Sequence, residues 1–277
     1  VVPSSEASAF GCIHVDDSGR IIDFIEKPAN PPEIPGKPGF SYVSMGNYIF
    51  EREILEESLI EDAHLPTSHD FGRDIIPKLV PKARIFAYDF STNVLPGKTR
   101  SFWREDKPYW RDVGTIKAYW EAHMDLLDHD SEMTFYNPQW PIRTVSYADP
   151  PSYVCPVKGF SCYVQSTLSA EGSRVLGSRV ESSVLSRNCV IMPGSDIEQS
   201  IIGEGVVVGE NCRLKKVIID SHNVIPPNTE IGFDPEHDRE RYAVDPNSGI
   251  ITIGMPKMQL RKSIEQPKEG FDWSSFS

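Results

Sequence analysis

The chain has no cysteine arrangement that could pair or hold metal. Its five cysteines, Cys12, Cys155, Cys162, Cys189 and Cys212, are scattered without a CxxC. An odd count without that spacing argues against a disulfide framework and a zinc site, and it suits a reducing, cytoplasmic setting. No run reaches the ~18 apolar residues of a membrane span, and no signal peptide is recognisable. Positive charge is scarce: 28 Lys and Arg face 40 Asp and Glu, for a net charge of −12. So acidic a chain is a poor general binder of nucleic acid, and a phosphate-bearing ligand has to be held by local cations rather than by the overall field. There is no GxSxG, HExxH or Cys–His signature, no GxGxxG and no Walker-A loop. The seven histidines (His14, His64, His69, His123, His129, His222, His237) form no nucleophile–base constellation.

The clearest positive signal is a six-residue aliphatic period in the C-terminal half. From Val184 it runs through Val190, Ile202, Val208 and Leu214, broken only at Asp196, where Ile197 stands beside the gap. It then slips by one and continues as Ile219, Ile225 and Ile231, with Gly194, Gly203, Gly205 and Gly209 between. Such a period fits neither a helix nor an alternating strand. It fits a triangular parallel β-helix in which each short face turns a corner and points one aliphatic side chain inward. The spiral is expected over roughly 157–233, followed by a polar tail, Asp234–Ser277, with one strand-like piece at Gly249–Ile253.

The first half mixes element types. Residues 9–15 and 21–26 read as strands joined by the turn Asp16-Asp17-Ser18-Gly19. Residues 28–39 are a Pro/Gly loop, and Ser41–Phe50 reads as a third strand. Helices are expected at Glu51–Ile60, Asp70–Val80 and from Thr115 to about Asp128, with Thr115 as N-cap and Ile116, Tyr119, Trp120, His123 and Leu127 as one stripe. Arg84–Phe90 reads as a strand. The Pro- and Tyr-rich 136–156 segment reads as an ordered linker. The shift from mixed α/β to all-β composition places a domain boundary near residue 150, giving 1–150 and 151–277.

Four segments hold residues suited to chemistry. In Phe24-Ile25-Glu26-Lys27-Pro28 a carboxylate and an ammonium meet where a strand ends. In open α/β sheets that edge is where ligands bind, and a Lys there meets a phosphate as a compact point charge, although a surface ion pair accounts for the same residues. In Tyr109–Thr115, Asp112 suits Mg²⁺, which takes one or two protein carboxylates with waters and substrate phosphates, and Trp110 offers a flat face to a sugar; a helix cap and a core tryptophan are the bland alternatives. Ser44 and Tyr48, four apart in an expected strand, share one face. Ser68 or Asp70 could cap the following helix, or Asp70 could accept a sugar hydroxyl.

In combination, ASAFGCIHVDDSGRIIDFIEKPANPP, SMGNYIF, SHDFGRDIIP, PYWRDVGTIKAYWEAHMDL, NPQWPIRT and VIIDSHNVIPPNTEIG resemble the bacterial glucose-1-phosphate adenylyltransferases, in that family's order and to about residue 262. The resemblance implies part of an α/β, Rossmann-like nucleotidyltransferase domain followed by a left-handed parallel β-helix. It implies transfer of AMP from ATP to glucose 1-phosphate with Mg²⁺. Lys27 would grip the sugar phosphate. Glu26, Ser44, Tyr48, Asp70 and Trp110 would line the glucose with Phe71 beside them, and Asp112 would be one of two aspartates holding Mg²⁺. Small anionic allosteric effectors and a homotetramer are further family traits. Lys257, Arg261 and Lys262 are candidate anion contacts.

The family's Gly-rich, Arg-containing ATP loop, its base-recognition strands and the second Mg²⁺ aspartate have no counterpart here. The expectation is a piece of a longer chain, inactive in transfer by itself. Two rivals stand beside this reading. One is a hexapeptide-repeat acyltransferase with His222 as base; the other is a non-catalytic regulatory homologue, against which the intact Glu26-Lys27 and Trp110-Arg111-Asp112 speak.

Overall fold

The chain's structure, a computed structural model, describes residues 1–94, 96, 108–128, 135–157 and 159–255. Lys257, Arg261 and Lys262 fall outside the described residues. Contacts divide the chain into two compact units, Val1–Val94 and Leu95–Ser277.

The first unit is built on a four-stranded sheet. Its elements are β1 (Val2–Pro3), β2 (Gly11–Val15), β3 (Ile21–Glu26) and β4 (Phe40–Val43), with helices α1 (Ser4–Ala7), α2 (Arg52–Ala63) and α3 (Ile76–Leu79). The strand order is β1-β4-β2-β3, and every pairing is antiparallel. Cys12, Ile21, Phe24, Ile75 and Ile76 are its buried apolar residues, with Ala7. The antiparallel sheet changes the argument for Glu26. The carboxyl end of β3 lies beside the amino end of β2, with Gly11 opposite Glu26, and not at the common edge of a parallel sheet.

Three expected elements differ. β4 stops at Val43, and the chain turns at Gly46, whose φ of +71° ends the extended run. The Arg84–Phe90 segment makes only the bridge Arg20↔Phe86. The expected helix at Asp70–Val80 starts as a π-helical turn, Phe71–Ile75, and becomes α-helical only at Ile76–Leu79.

The second unit holds α4 (Ile116–Asp125) and a parallel solenoid whose strands run from Tyr153 to Ile231, followed by α5 (Pro235–Arg241) and a closing strand, Ile251–Ile253. Thr115 caps α4 as expected, its hydroxyl accepting from the Ala118 N–H at 3.1 Å. The solenoid strands form three sheets. In the later coils partners lie seventeen residues apart: Val184 pairs with Ile201 and Ile201 with Ile218, while Val190 pairs with Val207 and Val207 with Val224. One coil earlier the spacing is sixteen for Leu168 with Val184 and for Arg174 with Val190.

A seventeen-residue coil corrects the inward register. The core positions are Leu185, Ile191 and Ile197, then Ile202, Val208 and Leu214, then Ile219, Ile225 and Ile231, all 5% exposed or less. Val184 and Val190, expected inside, face outward beside Leu185 and Ile191. The Asp196 gap disappears. Strands alternate sides, so Ile197 points in and Asp196 points out, where it stacks in register between Arg179 and Arg213 and pairs with Arg179 at 2.8 Å. From Leu185 onward each coil therefore takes two six-residue steps and one of five.

The corners repeat too. Gly194, Asn211 and Asn228 form one column in the left-handed region, and Asn188, Gly205 and His222 form another. A Cβ at Gly205 would sit 2.6 Å from the imidazole of His222, so this glycine leaves room for the ring of the next coil. His222 thus has a structural place in a corner stack. Buried serines close the backbone bonding there: Ser195 Oγ donates to Gly209 O at 2.7 Å and accepts from the Cys212 N–H at 3.1 Å.

The solenoid core makes a direct prediction. Leu214→Ala removes a fully buried side chain and should cost about 2–5 kcal/mol of stability, read by denaturant unfolding. Val184→Ala, on the outer face, should cost less than half as much; equal losses would put the register back where hydropathy alone suggested it.

Candidate functional site

The first unit gathers six of the eight candidate residues. β3 ends at Glu26, and Lys27 follows in the left-handed region with φ +48°. A non-glycine residue there costs about 1–2 kcal/mol unless its surroundings hold it. Here the Lys27 N–H donates to Phe10 O at 3.0 Å, tying the turn to the chain entering β2. The turn throws the Lys27 ammonium outward, 59% exposed, with Glu26 Oε1 3.9 Å away. The ammonium is therefore only loosely neutralised and open to an anion from solvent.

Beyond β4, Ser44 Oγ and Tyr48 Oη hydrogen-bond at 2.8 Å. They meet because the chain folds back through Gly46, and not because they share a strand face. The Ser44 N–H donates to Gly11 O at 2.7 Å, which fixes this turn to β2. The Tyr48 ring is 6.1 Å from Phe71, and both rings lie about 6 Å from Phe50 (6.2 and 5.8 Å). Phe50, unassigned from sequence, is the third ring of this cluster.

Asp70 precedes the π-helical turn and accepts from the Arg73 N–H at 2.8 Å, so its expected capping role holds. Gly72 and Gly11 make room for Glu26. A Cβ on either would come within 2.6 or 2.8 Å of Glu26 Oε2. Both were visible only as glycines inside strand- and helix-like runs, the usual mark of a close approach. Glu26 and Asp70 also act jointly on Tyr48. Burial raises the phenol's pKa above its ordinary value, the Ser44 bond pulls against that, and the two carboxylates push it further up. Tyr48 is thus a protonated hydroxyl at neutral pH, flanked by two carboxylates and a serine, with Lys27 beside Glu26. Such a set suits a ligand with several hydroxyls and one anionic group.

Trp110 and Asp112 belong to the second unit. Their segment is bolted to α4: Arg111 pairs with Glu121 at 2.9 Å and Asp125 at 3.0 Å, and Tyr109 Oη donates to Asp125 at 3.1 Å. Sequence reasoning missed this role of Arg111. Its signal was a basic residue before a helix carrying two acids a turn apart on one face. Asp112 is left exposed, its carboxylate folded over Gly114, where a Cβ would be 3.2 Å from Oδ2. Among the described residues no cluster of three or more His, Cys, Asp or Glu could hold a metal. A single exposed carboxylate fits Mg²⁺ arriving with waters and substrate phosphates, and does not fit a resident all-protein cage.

The Tyr48 environment is testable by absorbance titration. The difference between the parent chain and Tyr48→Phe should titrate above the ordinary tyrosine value of about 10. A difference midpoint at or below that value would show that the carboxylates do not act on the phenol. Because the folded value is raised, Tyr48 favours the fold below the unfolded value and loses that contribution as pH climbs past it.

Residues 1–129 match the nucleotidyl transferase family, and residues 150–253 match a GlmU-like C-terminal hexapeptide family. The chain is 46% identical to a glucose-1-phosphate adenylyltransferase of Aliivibrio fischeri and 45% identical to glucose-1-phosphate adenylyltransferase 1 of Vibrio parahaemolyticus, in each case over 91% of its own length and 61% of the relative's. A glucose-1-phosphate adenylyltransferase of Corynebacterium diphtheriae is 41% identical over 91% of this chain and 58% of its own. The chain thus spans about three-fifths of the curated relatives it matches. It is a homologue of the glucose-1-phosphate adenylyltransferases, joining a nucleotidyl transferase region to a hexapeptide-repeat solenoid.

Proposed function

We propose that this chain carries the sugar-phosphate side of an adenylyltransferase site: it binds glucose 1-phosphate for reaction with ATP, yielding ADP-glucose and pyrophosphate for glycogen or α-glucan synthesis. The observation that supports this most is the cluster of Glu26, Lys27, Ser44, Tyr48, Asp70 and Phe71 at one end of the first unit's sheet, in a chain homologous to enzymes of that name. Lys27 neutralises the sugar phosphate. Glu26, Ser44, Tyr48 and Asp70 exchange hydrogen bonds with the glucose hydroxyls. Phe71 presents an apolar face to the ring, and Trp110 is assigned to the sugar from the likeness to the family alone.

In the reaction a phosphate oxygen of glucose 1-phosphate attacks the α-phosphorus of ATP in line. The bond from that phosphorus to the bridging oxygen breaks, and pyrophosphate leaves. No covalent enzyme intermediate is required, so the protein contributes positioning and charge neutralisation. Asp112 is the residue that would hold Mg²⁺, which when bound neutralises charge on the phosphates. Arg111, through its pairs with α4, keeps Asp112 in place. Residues 1–150 form the transferase part and 151–277 the spiral and its tail. A cytoplasmic homotetramer answering to small anionic effectors completes the reading, from the likeness to the family. The acyltransferase alternative shares the hexapeptide solenoid but leaves residues 1–129, which match the nucleotidyl transferase family, unexplained, and His222 has a structural place in its corner stack.

Calorimetric titration of the chain with glucose 1-phosphate should show saturable binding that Lys27→Ala weakens by roughly 10- to 100-fold, the range of a lost charge-assisted hydrogen bond. In protein that performs the transfer, the same change should raise KM for glucose 1-phosphate far more than KM for ATP. Equal effects on both substrates would remove Lys27 from the phosphate. Asp112→Asn should instead lower kcat, by several kcal/mol in barrier.

A further inference from the structure

A buried acid lies beneath the turn that carries Asp70. Asp62, near the end of α2, is 5% exposed. Thr67 Oγ1 donates to it, 3.0 Å from each carboxylate oxygen; His69 Nδ1 lies 2.8 Å from Oδ2 and Lys78 Nζ 3.3 Å from Oδ1. These bonds, that of His69 foremost, hold the Asp62 carboxyl below its usual range. Three groups, two from the loop and one from the following helix, thus converge on one carboxylate, none of them among the residues assigned to the sugar.

His69 is the revealing member. It immediately precedes Asp70 and sits in the left-handed region, φ +58°. A non-glycine residue is uncommon there, and at His69 specific bonds hold the conformation. The imidazole reaches back to Asp62 and lies 3.2 Å from Thr67 Oγ1, which also accepts from the His69 N–H at 3.4 Å. On the far side of Asp70, Asp74 takes up the Asp70 N–H at 3.1 Å and the Ser68 hydroxyl at 2.5 Å. The backbone around Asp70 is therefore clamped from both sides, by Asp62 through His69 and by Asp74 directly.

We infer that Asp62 and His69 are positioning residues: their bond fixes the left-handed corner that aims the Asp70 carboxylate at the sugar. This rests on the sugar-phosphate reading above, in which Asp70 meets a glucose hydroxyl. The ligand contact belongs to Asp70, and His69 acts only through it. Lys78 stays on Asp62 when His69 is changed, so the buried charge keeps a partner and the fold survives the test.

The experiment is a double-mutant cycle on glucose 1-phosphate affinity, read by calorimetry with the 277-residue chain. His69→Ala is expected to weaken binding about fivefold or more in the parent, and to change it less than twofold in the Asp70→Ala background, because interacting sites are not additive. His69→Asn, which tolerates the left-handed region and can still donate to Asp62, should restore most of the affinity. Thermal midpoints of all variants separate loss of fold from loss of aim. Equal weakening by His69→Ala in both backgrounds, or no recovery with His69→Asn, overturns the positioning role while leaving the sugar-phosphate reading intact. Absence of glucose 1-phosphate binding by the parent chain overturns that reading and this inference with it.

Discussion

A chain can wind into a compact parallel coil only where its backbone accepts left-handed corners. In each coil of sixteen or seventeen residues the solenoid must bend three times, and ordinary L-residues resist the left-handed conformation of the corners. The chain meets the constraint with glycine and asparagine, and with a serine, glutamine, lysine or histidine at the remaining left-handed corners. Once the corners are set, the rest follows. Strands of two or three residues suffice because the inner ones pair on both sides, the inward positions fill with one aliphatic each, and outward positions can become charge ladders such as Arg179–Asp196 and Arg213–Glu230.

The same backbone device is used sparingly in the first unit, and there it serves chemistry rather than repetition. Lys27 and His69 are left-handed single residues, each held by a specific bond: Lys27 through its N–H to Phe10 O, His69 through its ring to Asp62. Both stand next to carboxylates assigned to the sugar. Local strain is retained where surrounding groups over-determine it, and such sites gather at functional surfaces.

Much of this was legible from sequence, and the failures have physical causes. The spiral announced itself by its period, but its phase did not. Val184-Leu185, Val190-Ile191, Ile201-Ile202 and Ile218-Ile219 are aliphatic doublets, and hydropathy cannot say which member faces inward. Only strands flanked by charge, such as Asp196-Ile197-Glu198, reveal it. The four site segments were readable because they carry polar groups in otherwise apolar surroundings. Phe50, Gly11 and Gly72 were not, because their value lies in packing against other segments, and Arg111 was passed over although two acids on the following helix, Glu121 and Asp125, marked its role. The strand expected through Tyr48 failed at Gly46, where one positive φ outweighed the β-propensity of its neighbours. The π-helical start at Phe71 was invisible for a similar reason. The Asp70 carbonyl accepts from both Asp74 and Ile75, and Pro77 shortly afterwards has no N–H to give.

The first coil departs from the others. Tyr153 pairs with Arg174, yet Tyr163 pairs with Arg179, so the corner between these strands is several residues longer than its successors. Within this longer corner Val157 and Phe160 are bonded to each other and lie over Gly177 of the next coil. The strands on either side keep their alignment regardless. Such a scaffold confines changes of length to its vertices: a lineage can lengthen or trim a corner without disturbing the ladders, and new surface can be grafted there while the inherited architecture stays unaltered.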